Sequence, residues 1–89
     1  VMTAVAITAG RQNHMLVSTS RVRFAVLSER SIQLYVASGE PNGKAGAYGI
    51  QGRIAAWIER IEGSYTGIMG LPLHETTLLL SRARVRLDL

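Results

Sequence analysis

Apolar and polar positions alternate from the first residue. Thr3, Val5 and Ile7 share one phase of residues 1–9, and Met2, Ala4 and Ala6 share the other. β-Branched side chains fill the first phase, which predicts a strand. Residues 10–14, Gly-Arg-Gln-Asn-His, are polar and suit a turn. Residues 15–26 then read as a second strand, with Arg21 and Arg23 on one face and Val22 and Phe24 on the other. At residue 28 the period changes. Ser28 suits a helix N-cap, Glu29 the first turn, and Ile32, Tyr35 and Val36 fall at helical spacing through about residue 38. Gly39 ends that helix and Pro41 prevents its resumption.

Residues 54–61 satisfy two periods. Ile54, Ala56 and Ile58 fit a strand face; Ala55, Ile58 and Glu62 fit a helix face. Trp57 and the isoleucines favour a strand. Residues 63–70 read as a loop. Pro72 suits the first turn of a final helix through Leu73, Thr77 and Leu80 to residue 81, with Arg82 at its negative end. No segment recurs.

Composition narrows the reading. Eighty-nine residues form one small domain or part of a larger one, and the chain opens strand-like on Val1 without an initiator methionine, as a cut through a longer protein would. Apolar content of 47% and a mean hydropathy of +0.17 indicate a folded domain. No uncharged run approaches the roughly 18 residues of a membrane helix, so no membrane partner is expected. No basic region precedes the apolar start, which argues against a signal peptide. Cysteine is absent, which excludes disulfides and thiolate metal sites and fits a cytoplasmic location.

The net charge of +4 favours polyanionic ligands. Phe24, Tyr35, Tyr48, Trp57 and Tyr65 do not interleave with the arginines, so a base-stacking platform for nucleic acid is not expected. Asp88 is the only aspartate, and glutamates stand at 29, 40, 59, 62 and 75. They form no compact acidic run, so a metal-phosphate site would lie largely outside this chain. His14 and His74 are sixty residues apart and share no metal-ligand spacing. Both read as surface or turn residues, and Glu75 as a helix-dipole residue.

The chemistry concentrates at Lys44-Ala45-Gly46-Ala47-Tyr48-Gly49-Ile50-Gln51-Gly52. Lys44 is the one lysine among ten basic residues, and glycine recurs at 43, 46, 49 and 52. A glycine-rich backbone lets a ligand approach closely. A lysine beside it offers a mobile point charge for phosphate. Gln51 adds an amide that both donates and accepts, as reading a base edge requires. Tyr48 suits packing, and Gly46, Tyr48 and Gly49 are candidates to line a cleft. A basic nucleotide- or RNA-binding module without catalysis is the alternative reading.

This block resembles the conserved glycine-rich segment of the Maf family of nucleoside triphosphate pyrophosphatases. The flanks agree: Ser18-Thr19-Ser20-Arg21-Val22-Arg23-Phe24, Tyr35 through Gly39-Glu40-Pro41, Ile61-Glu62-Gly63-Ser64-Tyr65, and Gly70-Leu71-Pro72-Leu73-His74-Glu75-Thr76 resemble family blocks in the same order. The resemblance covers residues 1–89 as the C-terminal portion of one Maf-like domain, without the family's N-terminal half. It implies an α/β fold of the Maf/ITPase-like kind: a mixed, bent sheet with flanking helices, this chain forming one side of a nucleotide cleft. The Gly-Ile-Gln-Gly form is similar to the dTTP/UTP branch. Carried over, Lys44 contacts phosphate and Gln51 sets substrate specificity. The family's general-base aspartate belongs to the absent half, so the resemblance places no catalytic residue in this chain, and the fragment alone is expected to be inactive. It further implies a nucleoside triphosphate substrate and Mg²⁺ or Mn²⁺ in the complete enzyme. Self-association, as a homodimer, is expected on separate grounds, because a half-domain leaves apolar faces uncovered. The family's aspartate immediately before the lysine is replaced here by Gly43.

Overall fold

The computed structural model describes residues 1–88. The chain divides into two compact units: Val1–Arg21 together with the stretch from Glu62 onward, and Val22–Ile61.

The first unit is a hairpin backed by two helices. Strands β1 (Met2–Ala9) and β2 (Gln12–Thr19) pair antiparallel, from Met2 opposite Thr19 to Ala9 opposite Gln12. The turn is tighter than the polar run 10–14 suggests. Gly10 and Arg11 alone make it, with Gly10 at φ +60°, and Gln12, Asn13 and His14 already belong to β2. One face carries Thr3, Val5 and Ile7 beside Leu16 and the buried Ser18. Helices α2 (Tyr65–Met69) and α3 (Leu73–Arg82) pack against the hairpin, and Leu79 of α3 is fully buried. Complete burial of a leucine side chain contributes about 1.5–3 kcal/mol. The alternate phase stays open: Met2, Met15 and Val17 are exposed, with Ala4 and Ala6 between them.

Helix α2 replaces the loop expected over 63–70. Ser64 caps it, its Oγ accepting the Gly67 N–H at 2.9 Å, and Gly70 at φ +128° ends it. Gly67 in mid-helix has a packing reason, because a Cβ there would stand 2.9 Å from Ser18 Oγ. Pro72 sits at the N-cap of α3 rather than inside it, and Glu75 and Arg82 occupy the first and last turns as the helix dipole favours. Proline has no N–H to offer the N3 glutamate of a capping box, and Glu75 Oε2 is buried without a hydrogen-bond partner. His14 Nε2 is likewise buried and unpartnered, so His14 is a half-buried strand residue, not the surface or turn residue its neighbours suggested.

The single strand expected over 15–26 is two. Pairing with β1 ends where Ser20 N–H donates to Val1 O at 2.8 Å and Val1 N donates back to Ser20 O at 2.7 Å. Ser20 Oγ then accepts the Ser64 N–H at 2.8 Å, and β3 (Arg21–Phe24) pairs with β4 (Ile58–Glu62) instead. The class is α/β, with its strands in two two-stranded sheets among the described residues.

The second unit holds most of that β3–β4 pair, helix α1 (Glu29–Ala37) and the glycine-rich loop. Ser28 caps α1, its Oγ accepting the Ser31 N–H at 3.1 Å, and Gly39 follows it at φ +79°. The strand expected to begin at residue 54 begins at Ile58. Before it, Arg53–Trp57 forms a 3₁₀ turn that buries Ile54. Ala55 and Ala56 lie exposed on the outside of that turn.

Candidate functional site

The glycine-rich segment is a series of tight turns. Gly43 (φ +73°), Gly46 (φ +73°) and Ala47 (φ +58°) all adopt the left-handed conformation. Two glycines supply it freely; Ala47 holds it at a cost of about 1–2 kcal/mol. Local bonds close the path: Lys44 N–H to Pro41 O at 3.4 Å, Ala47 N–H to Lys44 O at 3.0 Å, and Gly52 N–H to Gly49 O at 2.9 Å. Two side chains tie the loop to α1 and its exit. Tyr35 Oη accepts the Gly49 N–H at 3.3 Å. Glu40 grips the far end, Oε1 accepting from Arg53 Nε at 2.9 Å and Oε2 from the Arg53 N–H at 3.2 Å. Gly52 makes room for that carboxylate, since a Cβ would lie 2.6 Å from Glu40 Oε2.

Among the described residues this frame leaves Lys44 and Gln51 uncommitted, as it does the Asn42 amide and the Tyr48 hydroxyl. Lys44 and Gln51 are exposed, and among the described residues neither side chain has a hydrogen-bond or ion-pair partner. The neighbouring cation Arg53 is, by contrast, held by Glu40. Lys44 does not swing freely in one respect: its side chain crosses Gly49, where a Cβ would meet Nζ at 2.8 Å, Cε at 3.3 Å and Cδ at 3.4 Å.

Gly46 and Tyr48 line a cavity of about 280 Å³ with Phe24, Leu27, Ile32 and Val36. Lys44, Gly49 and Gln51 do not line it. Tyr48 stands edge-on to Phe24, with ring centroids 5.0 Å apart at 89°. Burial pushes its hydroxyl pKa above the ordinary 10.0, so at neutral pH the group is a neutral hydroxyl. Gly46 and Tyr48 are thus neighbours of an apolar hollow, whereas Gly49 is the floor beneath Lys44.

A family model described as Maf-like protein matches residues 1–83. The chain belongs to the Maf-like family. The chain is 58% identical over 86 residues to the dTTP/UTP pyrophosphatase of Cupriavidus pinatubonensis, covering 97% of this chain and 43% of that protein. It is 56% identical over 87 residues to the dTTP/UTP pyrophosphatase of Polaromonas sp., covering 98% and 43%. The enzyme of the same name from Aromatoleum aromaticum is 60% identical over 80 residues, covering 90% and 39%. This Maf-like chain therefore spans less than half the length of the curated relatives it matches. Among the described residues no helix is long and apolar enough to cross a membrane.

Among the described residues no group of three or more His, Asp or Glu side chains could hold a metal ion. Glu40 is committed to Arg53, Glu59 pairs with Arg23 at 3.3 Å, and Asp88 pairs with Arg86 at 3.4 Å.

Sequence reasoning missed Glu40, Arg53 and Tyr35 as parts of this Maf-like loop. Glu40 stood only as a residue between the helix-ending Gly39 and Pro41, and Tyr35 as a helix-face residue. Their partners lie 13 and 14 positions away, beyond any local period. The available hint was Glu40, a carboxylate closing a helix that opens onto a loop ending in arginine.

Proposed function

We propose that this chain is the C-terminal portion of a Maf-like nucleoside triphosphate pyrophosphatase acting on dTTP and UTP. In the whole enzyme water attacks the α-phosphorus of the triphosphate and pyrophosphate leaves, giving the monophosphate. Lys44 neutralises phosphate charge, and Gln51 hydrogen-bonds the pyrimidine edge. Abstraction of the water proton needs a base, which this reading assigns to the part of the enzyme beyond this chain. Mg²⁺ or Mn²⁺ belongs to the complete enzyme, where it would neutralise phosphate charge. One observation carries the reading. In a chain 56–60% identical to these dTTP/UTP pyrophosphatases, Lys44 and Gln51, the loop side chains with the chemistry for phosphate and a base edge, are exposed and have no hydrogen-bond or ion-pair partner among the described residues.

The test is binding and turnover with dTTP, UTP, CTP and GTP. The chain binds dTTP and UTP, and Lys44→Ala weakens both about tenfold, the scale of one charged hydrogen bond. Gln51→Ala narrows the preference for dTTP and UTP over GTP more than it weakens triphosphate binding, because a site built to pair a base edge rejects bases that leave its amide unpaired. Pyrophosphate release stays at background. An affinity ratio across the four nucleotides unchanged by Gln51→Ala removes the specificity role. Turnover by the 89 residues alone, lost on Lys44→Ala, would overturn the assignment of the base to another segment.

A further inference from the structure

We infer that Gly49 is the positioning residue for Lys44, required for the seat it gives the ammonium rather than for its backbone freedom. The inference rests on the phosphate reading of Lys44 above. Three observations carry it. First, Gly49 is not among the glycines with left-handed backbone angles, unlike Gly43 and Gly46 in the same loop. An L-residue can adopt its conformation, so conformational need does not explain a glycine here. Second, the last three heavy atoms of Lys44 lie across its Cα face, within 3.4 Å of where a Cβ would stand, the ammonium nearest at 2.8 Å. Third, the floor is fixed. The Gly49 N–H donates to Tyr35 Oη on α1, and the Gly49 carbonyl accepts the Gly52 N–H.

The consequence is directional. A methyl group at 49 meets the free end of a flexible side chain, not the backbone, so the chain still folds and Lys44 is the part that moves. A lysine is a point charge on four rotatable carbons, and its contribution to an anion site depends on how much of that freedom is removed beforehand. Gly49 removes freedom by offering a flat bed, where any side chain would lift the ammonium out of register with the loop. Gly49→Ala should therefore imitate the loss of Lys44 while leaving stability untouched.

Lys44 is the only lysine, so lysine labelled with ¹³C at Cε gives one side-chain signal. In the native chain this signal shows a nuclear Overhauser contact to the Gly49 Hα protons; its absence would overturn the inference whatever the variants do. Tripolyphosphate is the probe for binding, titrated into dilute protein by calorimetry. Lys44→Ala and Gly49→Ala each weaken binding about tenfold, and the double variant is no weaker than Lys44→Ala alone. Gly49→Ala shifts the ¹³Cε signal and leaves the melting temperature unchanged. Wild-type affinity in Gly49→Ala, with Lys44→Ala weakened, refutes the seat and spares the phosphate reading. No effect of Lys44→Ala refutes the phosphate reading itself. A fall in melting temperature on Gly49→Ala with an unmoved ¹³Cε signal assigns the glycine to the fold and overturns the proposal.

Discussion

Tyr48 shows how one side chain in the glycine-rich loop reports on its surroundings. Its ring packs edge-on against Phe24 beside an apolar cavity, and desolvation raises its pKa above 10.0. A raised pKa means the folded state holds the phenolic proton more tightly than the unfolded state. Tyr48 thus adds nothing to the pH dependence of stability below the unfolded value. Above about pH 10 the unfolded chain loses this proton first, and stability falls as pH rises through the folded pKa. Urea denaturation midpoints measured from pH 8 to 11.5 should fall at the alkaline end, and Tyr48→Phe should flatten that fall. An identical slope in the variant would place the alkaline sensitivity elsewhere. The packing role of Tyr48 was legible from the sequence, since an aromatic among glycines finds little else to do. The grip of Glu40 on Arg53 was not, because a carboxylate beside Gly39 and Pro41 carries a strong local explanation that conceals its distant partner.

The elements with strong local signals stand where the sequence put them. Helix α1 has Ser28 at one end and Gly39 at the other, and β1 has strict alternation. The elements that depart are decided by long-range contacts. Nothing local says that a strand changes partner at Ser20, because the cause is Ser64, 44 residues on. Nothing local distinguishes Gly67 as a packed helix residue rather than a loop glycine, because the cause is Ser18. The glycine-rich loop shows the same split: the candidates Lys44 and Gln51 stand out by their chemistry, and the residues that hold the loop, Tyr35, Glu40 and Arg53, do not. Gly63 is where this junction is tightest. It adopts φ +115°, and a Cβ would lie 2.5 Å from Ser20 Oγ and 2.9 Å from Ser20 Cα and Cβ. Backbone cannot yield there as a side-chain tip can, so Gly63→Ala should cost about 2–4 kcal/mol from combined strain and overpacking. Gly10→Ala, with an open hairpin tip around it, should cost only about 1 kcal/mol. Chemical denaturation of the two variants gives the comparison, and equal losses would show that φ alone sets the cost.

At the scale of the whole chain the open surfaces decide behaviour. The hairpin presents Met2, Ala4, Ala6, Met15 and Val17 outward, and among the described residues neither β1 nor β2 pairs with a third strand. Ile32, Leu34 and Val36 of α1 are also about half exposed. Contiguous apolar surface and unpaired edges drive association, and a net charge of +4 opposes it weakly once salt screens beyond about 8 Å. A second copy of the chain is the expected partner. Sedimentation should show mass rising with concentration, and Met15→Lys with Val17→Lys should reduce it; a monomer at high concentration would show that these faces need no cover. The division into units has a separate consequence. Residues 22–61 leave and re-enter the first unit at neighbouring points, since Ser20 and Ser64 on either side are hydrogen-bonded to each other. Lys44, Gln51 and the frame around them therefore travel as one cassette. If the loop recognises nucleotide as proposed, exchanging that stretch for its counterpart in a relative of different nucleotide preference should carry the preference over with the loop's own fastenings, through two splice points.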